Sequence, residues 1–121
     1  LEFRRVLFRS QDDSIVIYGD GEQTRDFIYI DDVVEANILG MQSQFNGIYN
    51  VSTNIPSSIN LLVDEFRSIS HKNIDVVYEK PRLGDIRDSV LATEKSERDL
   101  LFRAKCNLHD GLVKTYTYFN K

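Results

Sequence analysis

A single cysteine, Cys106, excludes a disulfide within the chain and leaves no thiolate set for a zinc site. Such cysteine usage fits a cytoplasmic protein. No apolar run approaches the roughly 18–20 residues of a membrane span, and no charged-then-apolar signal pattern opens the sequence. Tryptophan is absent and there are only two prolines, but 41% of the residues are hydrophobic, so global disorder is not expected. A basic excess is also missing. The net charge of the 121 residues is −4, which argues against bulk nucleic-acid binding. It leaves room for a small anion held by one or two arginines.

Enzyme signatures are missing as well. Gly19-x-Gly21 follows a strand-like run, but position 24, where a dinucleotide fingerprint has its third glycine, is Thr24. There is no P-loop and no Gly-x-Ser-x-Gly elbow. His71 and His109 have no metal-ligand spacing and read as helix-end or surface residues. Asp31-Asp32 reads as a helix cap rather than an acid–base pair. No tyrosine has a lysine four positions later. No catalytic, cofactor-binding or metal-binding residue is therefore assigned.

What remains is a chain of one domain, with short strands alternating with helices: an α/β or α+β class. Residues 1–10 are arginine-rich and out of keeping with the rest. The expectation is a non-native or poorly packed segment over 1–13, ahead of a folded part over 14–121. The alternative is a native helix packing Phe3, Val6 and Leu7. The patterning predicts strands at 14–18, 25–30, 48–52 and 74–78. It predicts a helix capped by Asp31 or Asp32 and running to about 43, with Val34, Ile38 and Met41 as its inner stripe. Ser57 or Ser58 caps a second helix, burying Leu62, Phe66 and Ile69 with Ile59 and Val63 beside them. Residues 81–89 read as a polar loop. Thr93 caps a short helix to about 101, and a last helix covers about 110–119.

Two stretches carry chemistry. In IVIYGDGEQTRDFIYIDDVV, from residue 15, Val16 and Tyr18 share a strand face, and an aromatic ring at a strand end can stack on a flat base. Arg25, after the turn, can grip phosphate oxygens with its forked donors. The plainer reading is a core tyrosine, with Arg25 paired to Asp26 or Asp32. In PRLGDIRDS, from residue 81, Arg82 and Arg87 flank Asp85, and Gly84 allows a tight bend. Guanidinium groups suit a diphosphate, and a carboxylate suits a ribose hydroxyl. The plainer reading there is a solvated loop with local ion pairs.

Together with YNVST at 49–53 and GLVKTYTYF at 111–119, these runs resemble the NAD-dependent epimerase/dehydratase family of extended short-chain dehydrogenases/reductases, UDP-glucose 4-epimerase-like members above all. The resemblance covers about residues 14–120. It implies the C-terminal substrate-binding subdomain of such an enzyme, with the Rossmann domain largely missing. It also implies NAD, bound by an N-terminal domain upstream of residue 14, together with the catalytic Tyr-x-x-x-Lys. The implied partner is a UDP-sugar, and the implied parent is a homodimeric enzyme; the fragment alone would be inactive. Alternatives are part of a 4,6-dehydratase, a decarboxylase or a reductase, or an inactive binding module.

Residue by residue, the resemblance puts Tyr18 on the uracil and the Val16 backbone at the base edge. Arg25 and Arg82 fall on the diphosphate, Asp85 on the ribose and Ser89 near the sugar. Arg87 receives no role. Two departures stand out. Asn54 replaces a family glycine, and Leu101-Phe102 lacks the glycine that relatives have at that helix end. Exposed apolar surface is expected wherever the rest of the family fold would pack.

Overall fold

The computed structural model describes residues 14–120. It is a mixed α/β fold with two small sheets and four helices among the described residues. Strand β1 (Ile15–Tyr18) lies parallel to β4 (Val76–Glu79), with Ile15 opposite Val76 and Tyr18 opposite Glu79. A second sheet has β2 (Thr24–Asp26) at its centre. On one side β2 is antiparallel to β3 (Pro56–Ser58), and on the other it is parallel to β5 (Asp88–Ser89). The end of the expected 81–89 loop is thus recruited as a strand.

Helix α1 (Ile30–Gln42) begins one residue before the expected caps. Tyr29 is the capping position, and Asp31 and Asp32 fall inside the first turn. Asp32 is buried and its carboxylate accepts from the backbone N–H groups of Lys105 (3.1 Å) and Cys106 (3.0 Å). It ties α1 to the far end of the chain instead of ending the helix. The expected inner stripe is also corrected. Val34, Ile38 and Met41 are exposed, and α1 buries Ala36, with Leu39 partly buried beside it, against Leu100 and Phe102. A small side chain permits that close approach, so the periodicity of the larger residues marks the outer face.

Helix α2 (Ile59–Ser70) matches its expectation closely. Ser58 caps it, accepting from Leu61 N–H at 3.1 Å, which satisfies one orphan donor of the first turn. Ile59, Leu62, Val63 and Phe66 are buried, and Ile69 is half-buried. Ile59 and Val63 join Ile17 in one core cluster, flanked by Ile15, Phe27 and Val76. The outer end of α2 meets α4 (Leu108–Phe119), where Phe66 and Tyr116 pack edge to face at 5.6 Å. Asn107 caps α4, accepting from Asp110 N–H at 2.8 Å. His109, on its first turn, lies 2.6 Å from Glu65, and His71 ends α2 in a left-handed conformation.

Residues 48–52 do not form the expected strand. Two isolated bonds take the place of a ladder: Lys95 Nζ donates to the Ile48 carbonyl, and Asn50 Nδ2 donates to that of Ala92. Tyr49 and Val51 still turn inward onto the Phe102 cluster. Helix α3 (Glu94–Leu100) follows Thr93, whose hydroxyl donates to Glu97 at 2.8 Å and makes no capping bond to a backbone N–H. Without a glycine, α3 ends on Leu101 in the left-handed region (φ 56), and Phe102 N–H closes back on the Ser96 carbonyl at 3.2 Å. That conformation costs a branched residue about 1–2 kcal/mol. Burial of Phe102, 1% exposed, offsets it. Asn54 likewise adopts a positive φ of 59, as its residue type allows.

Candidate functional site

At the end of β1, alternation turns Ile17 fully into the core and leaves Val16 and Tyr18 on the opposite face. The Arg82 guanidinium lies over the Tyr18 ring, 3.8 Å from its centroid, a cation–π contact. The Tyr18 carbonyl accepts from Gln23 Nε2 at 2.8 Å, which closes the intervening turn. Gly19 (φ 96) and Gly21 (φ 78) both need the left-handed region. A Cβ on Gly21 would fall 1.9 Å from Asn60 Oδ1. Asn60 in turn donates to the Asp20 carbonyl (3.0 Å) and to Glu22 (2.6 Å), and its Oδ1 accepts from the Tyr78 hydroxyl. The glycines thus serve a turn stapled to the first turn of α2. The turn opens into β2, not into a helix whose N-terminus could face a phosphate. The described residues do not fit a dinucleotide phosphate loop.

Arg25 lies on the central strand β2, directly opposite Ser89 of β5 in register. Its Nη2 is 3.0 Å from Asp85 Oδ1, and its Nη1 donates to the carbonyls of Thr24 (2.7 Å) and Arg87 (3.4 Å). Neither Asp26 nor Asp32 is its ion-pair partner. Arg82 and Asp85 likewise reach across to the β1 and β2 segments rather than pairing within their own loop. The structure therefore joins the six residues in two groups, Val16 and Tyr18 with Arg82, and Arg25 with Asp85 and Ser89. One segment, 81–89, links the two groups.

Several contacts could not be read from the sequence. Asp26 accepts from the Ser52 and Thr53 hydroxyls and from the backbone N–H groups of Thr53 (2.9 Å) and Asn54 (2.9 Å). Burial alone would raise its pKa, but these donors outweigh it and hold the carboxylate below its ordinary value. Arg87 grips both oxygens of Asp20 at 2.8 and 3.0 Å. The Glu22 backbone N–H first, and Arg87 second, hold the Asp20 pKa down. Burial pushes the Cys106 thiol up, so it is not an activated nucleophile. Among the described residues there is no cluster of three or more metal-ligating side chains, and no helix long and apolar enough to cross a membrane.

The chain as a whole is similar to known proteins. The sequence model of the NAD dependent epimerase/dehydratase family matches residues 3–52. The crystal structure of a UDP-glucose 4-epimerase from Thermotoga maritima, with UDP-glucose, is similar with a TM-score of 0.85 and 37% identity, covering 89% of this chain and 35% of that one. A UDP-glucose 4-epimerase from Mycolicibacterium smegmatis is 31% identical over 104 residues, 85% of this chain and 33% of its own length. A UDP-N-acetyl-alpha-D-glucosaminuronate decarboxylase from Bacillus cytotoxicus is 36% identical over 69 residues, 56% of this chain and 22% of its own. The chain thus spans about a third of the length of the epimerases it matches. With a shared fold across nearly all of its described residues, the chain belongs to the NAD-dependent epimerase/dehydratase family.

Proposed function

We propose that this chain is the nucleotide-sugar-holding, C-terminal part of a UDP-sugar epimerase of the UDP-glucose 4-epimerase kind. The observation that carries the reading is that one segment, 81–89, lays Arg82 on the Tyr18 ring and Asp85 on Arg25. The ring offers a stacking face for uracil, with the Val16 backbone beside it at the base edge. The two guanidinium groups offer forked donors to the diphosphate. Asp85 can accept from the ribose hydroxyls, and Ser89, opposite Arg25 in register, can offer its hydroxyl to the sugar.

Such residues act on the handle of the substrate, away from the reacting carbon. In a family enzyme the energy of holding that handle fixes the sugar for chemistry performed by other groups. NAD would be bound by a further, N-terminal domain of a homodimeric, cytoplasmic parent. No step of its chemistry is assigned to residues of this chain. A second reading, a nucleotide-sugar decarboxylase, is favoured by the match to the Bacillus cytotoxicus protein. The two readings share the UDP handle.

Calorimetric titration of the 121-residue chain tests the shared element. UDP-glucose and UDP are expected to bind with similar affinity, and uridine, which lacks both phosphates, at least about tenfold more weakly, the loss of one charge-assisted contact. Equal binding of uridine and UDP would remove the arginines from the diphosphate. No binding of any of the three would refute the reading.

A further inference from the structure

The segment 80–89, here called the strap, is exposed over residues 81–88. Leu83 at its tip is wholly exposed, and Gly84 turns it with a φ of 83 and nothing within 4 Å of a would-be Cβ. Packing therefore does not hold it. Its far end is anchored by β5, by Thr24 Oγ1 donating to Asp88 (2.8 Å) and by Thr24 N–H donating to the Arg87 carbonyl (2.9 Å). Between this anchor and Pro81 three side-chain ties reach the body of the protein: Arg82 to Tyr18, Asp85 to Arg25, and Arg87 to Asp20.

Two of those ties use the groups assigned above to the nucleotide. A diphosphate competes with Asp85 for Arg25 and draws Arg82 from the Tyr18 ring, because each guanidinium meets a stronger anion there. Both ties are then exchanged for contacts to the ligand. The Arg87–Asp20 tie involves no ligand-binding group. It joins one guanidinium nitrogen, Nη1, to both oxygens of a carboxylate already fixed by the Glu22 N–H at 3.0 Å, in a turn held by Asn60. The same residue's carbonyl also accepts from Arg25 Nη1.

We infer that Arg87 and Asp20 are a positioning pair, a tether that keeps the strap in register while its other two ties are exchanged for the nucleotide diphosphate. This rests on the functional reading above. It gives Arg87 the role that sequence comparison withheld.

Amide hydrogen exchange on the full chain tests the tether without any ligand. Arg25→Ala with Arg82→Ala removes the two exchangeable ties. In that double variant the Thr24 and Asp85 amides are expected to exchange within about twofold of the wild-type rate. Adding Arg87→Ala is expected to speed them about fivefold, the scale of one well-formed exposed ion pair. Release of the strap in the double variant, or no further change on adding Arg87→Ala, would overturn the tether. The binding readout uses Arg87 alone. Arg87→Ala is expected to weaken UDP about threefold, and Arg87→Lys, which keeps a single charged nitrogen on a shorter stem, to recover part of that loss. Unchanged affinity in Arg87→Ala would leave Arg87 no positioning role. Should the wild-type chain bind no UDP, the functional reading fails while the exchange rates still decide the tether.

Discussion

Arg25→Ala is expected to weaken UDP binding by about ten- to a hundredfold, the most that one charge-assisted contact of about 1.5–3 kcal/mol supplies. The magnitude follows from where Arg25 lies. It is on the central strand of its sheet, and Nη1 is already held by the Thr24 carbonyl at 2.7 Å, so the guanidinium is oriented before a phosphate arrives. Arg25→Lys is expected to recover little, because an ammonium cannot make two parallel bonds from a fixed plane. Arg82→Ala is expected to fall in the same range. Its guanidinium, held on the Tyr18 ring in the free chain, is the second forked donor available to the diphosphate. Calorimetric titration with UDP checks all three variants. Wild-type affinity in Arg25→Ala would mean that the Arg25–Asp85 pair is only a surface salt bridge.

Asp26→Asn is expected to destabilise the chain by about 3 kcal/mol, read as a loss of urea-unfolding free energy at neutral pH. The Asp26 carboxylate gathers donors from Ser52, Thr53 and Asn54. An amide offers one acceptor oxygen and turns an NH2 toward donors that then have no acceptor. A small domain with total stability of about 5–10 kcal/mol would lose a large share of it. The pH dependence follows from the same contacts. The folded pKa lies below the ordinary carboxylate value, so the stabilisation is complete above about pH 4 and is lost as pH falls through the lower folded value. Asp26→Asn is expected to lack that part of the acid sensitivity. If urea melts of the two proteins coincide at neutral pH, the carboxylate is not the hub of the 52–54 turn.

Local rules were readable where the partners are close in sequence. The Ser58 cap and the Ile59, Leu62, Val63, Phe66 face of α2 follow from spacing alone, because capping and amphipathicity are satisfied within a few residues. The Val16/Tyr18 face of β1 follows from the two-residue period in the same way. The stripe of α1 misled because Val34, Ile38 and Met41 have the right spacing, yet the inward face is chosen by fit, and Ala36 fits Phe102. Residues 48–52 have strand-like composition, but a strand needs a neighbour, and here the Lys95 side chain takes the Ile48 carbonyl while the Asn50 side chain reaches out to the Ala92 carbonyl.

The candidate site divides along the same line. Its ring and charges could be named from motif and chemistry, but not who meets whom. Tyr18 meets Arg82, Arg25 meets Asp85 and Asp20 meets Arg87 across sixty or more residues of chain. Such pairings depend on β5 joining β2, a two-residue strand with no hydrophobic pattern to announce it. The roles of Asn60 and Asp26 were hidden for a related reason. Each is a single polar residue whose importance lies in the backbone it holds, and the glycine at position 21 was the one local trace of Asn60.

The central proposal is that Tyr18, Arg82 and Arg25 form the seat of uridine diphosphate. The most direct measurement is nuclear Overhauser contact between UDP and the chain. Contacts from the uracil ring protons to the Tyr18 ring, abolished in Tyr18→Ala, are the predicted result. Uracil contacts to some other part of the chain, with the Tyr18 ring silent, would contradict it.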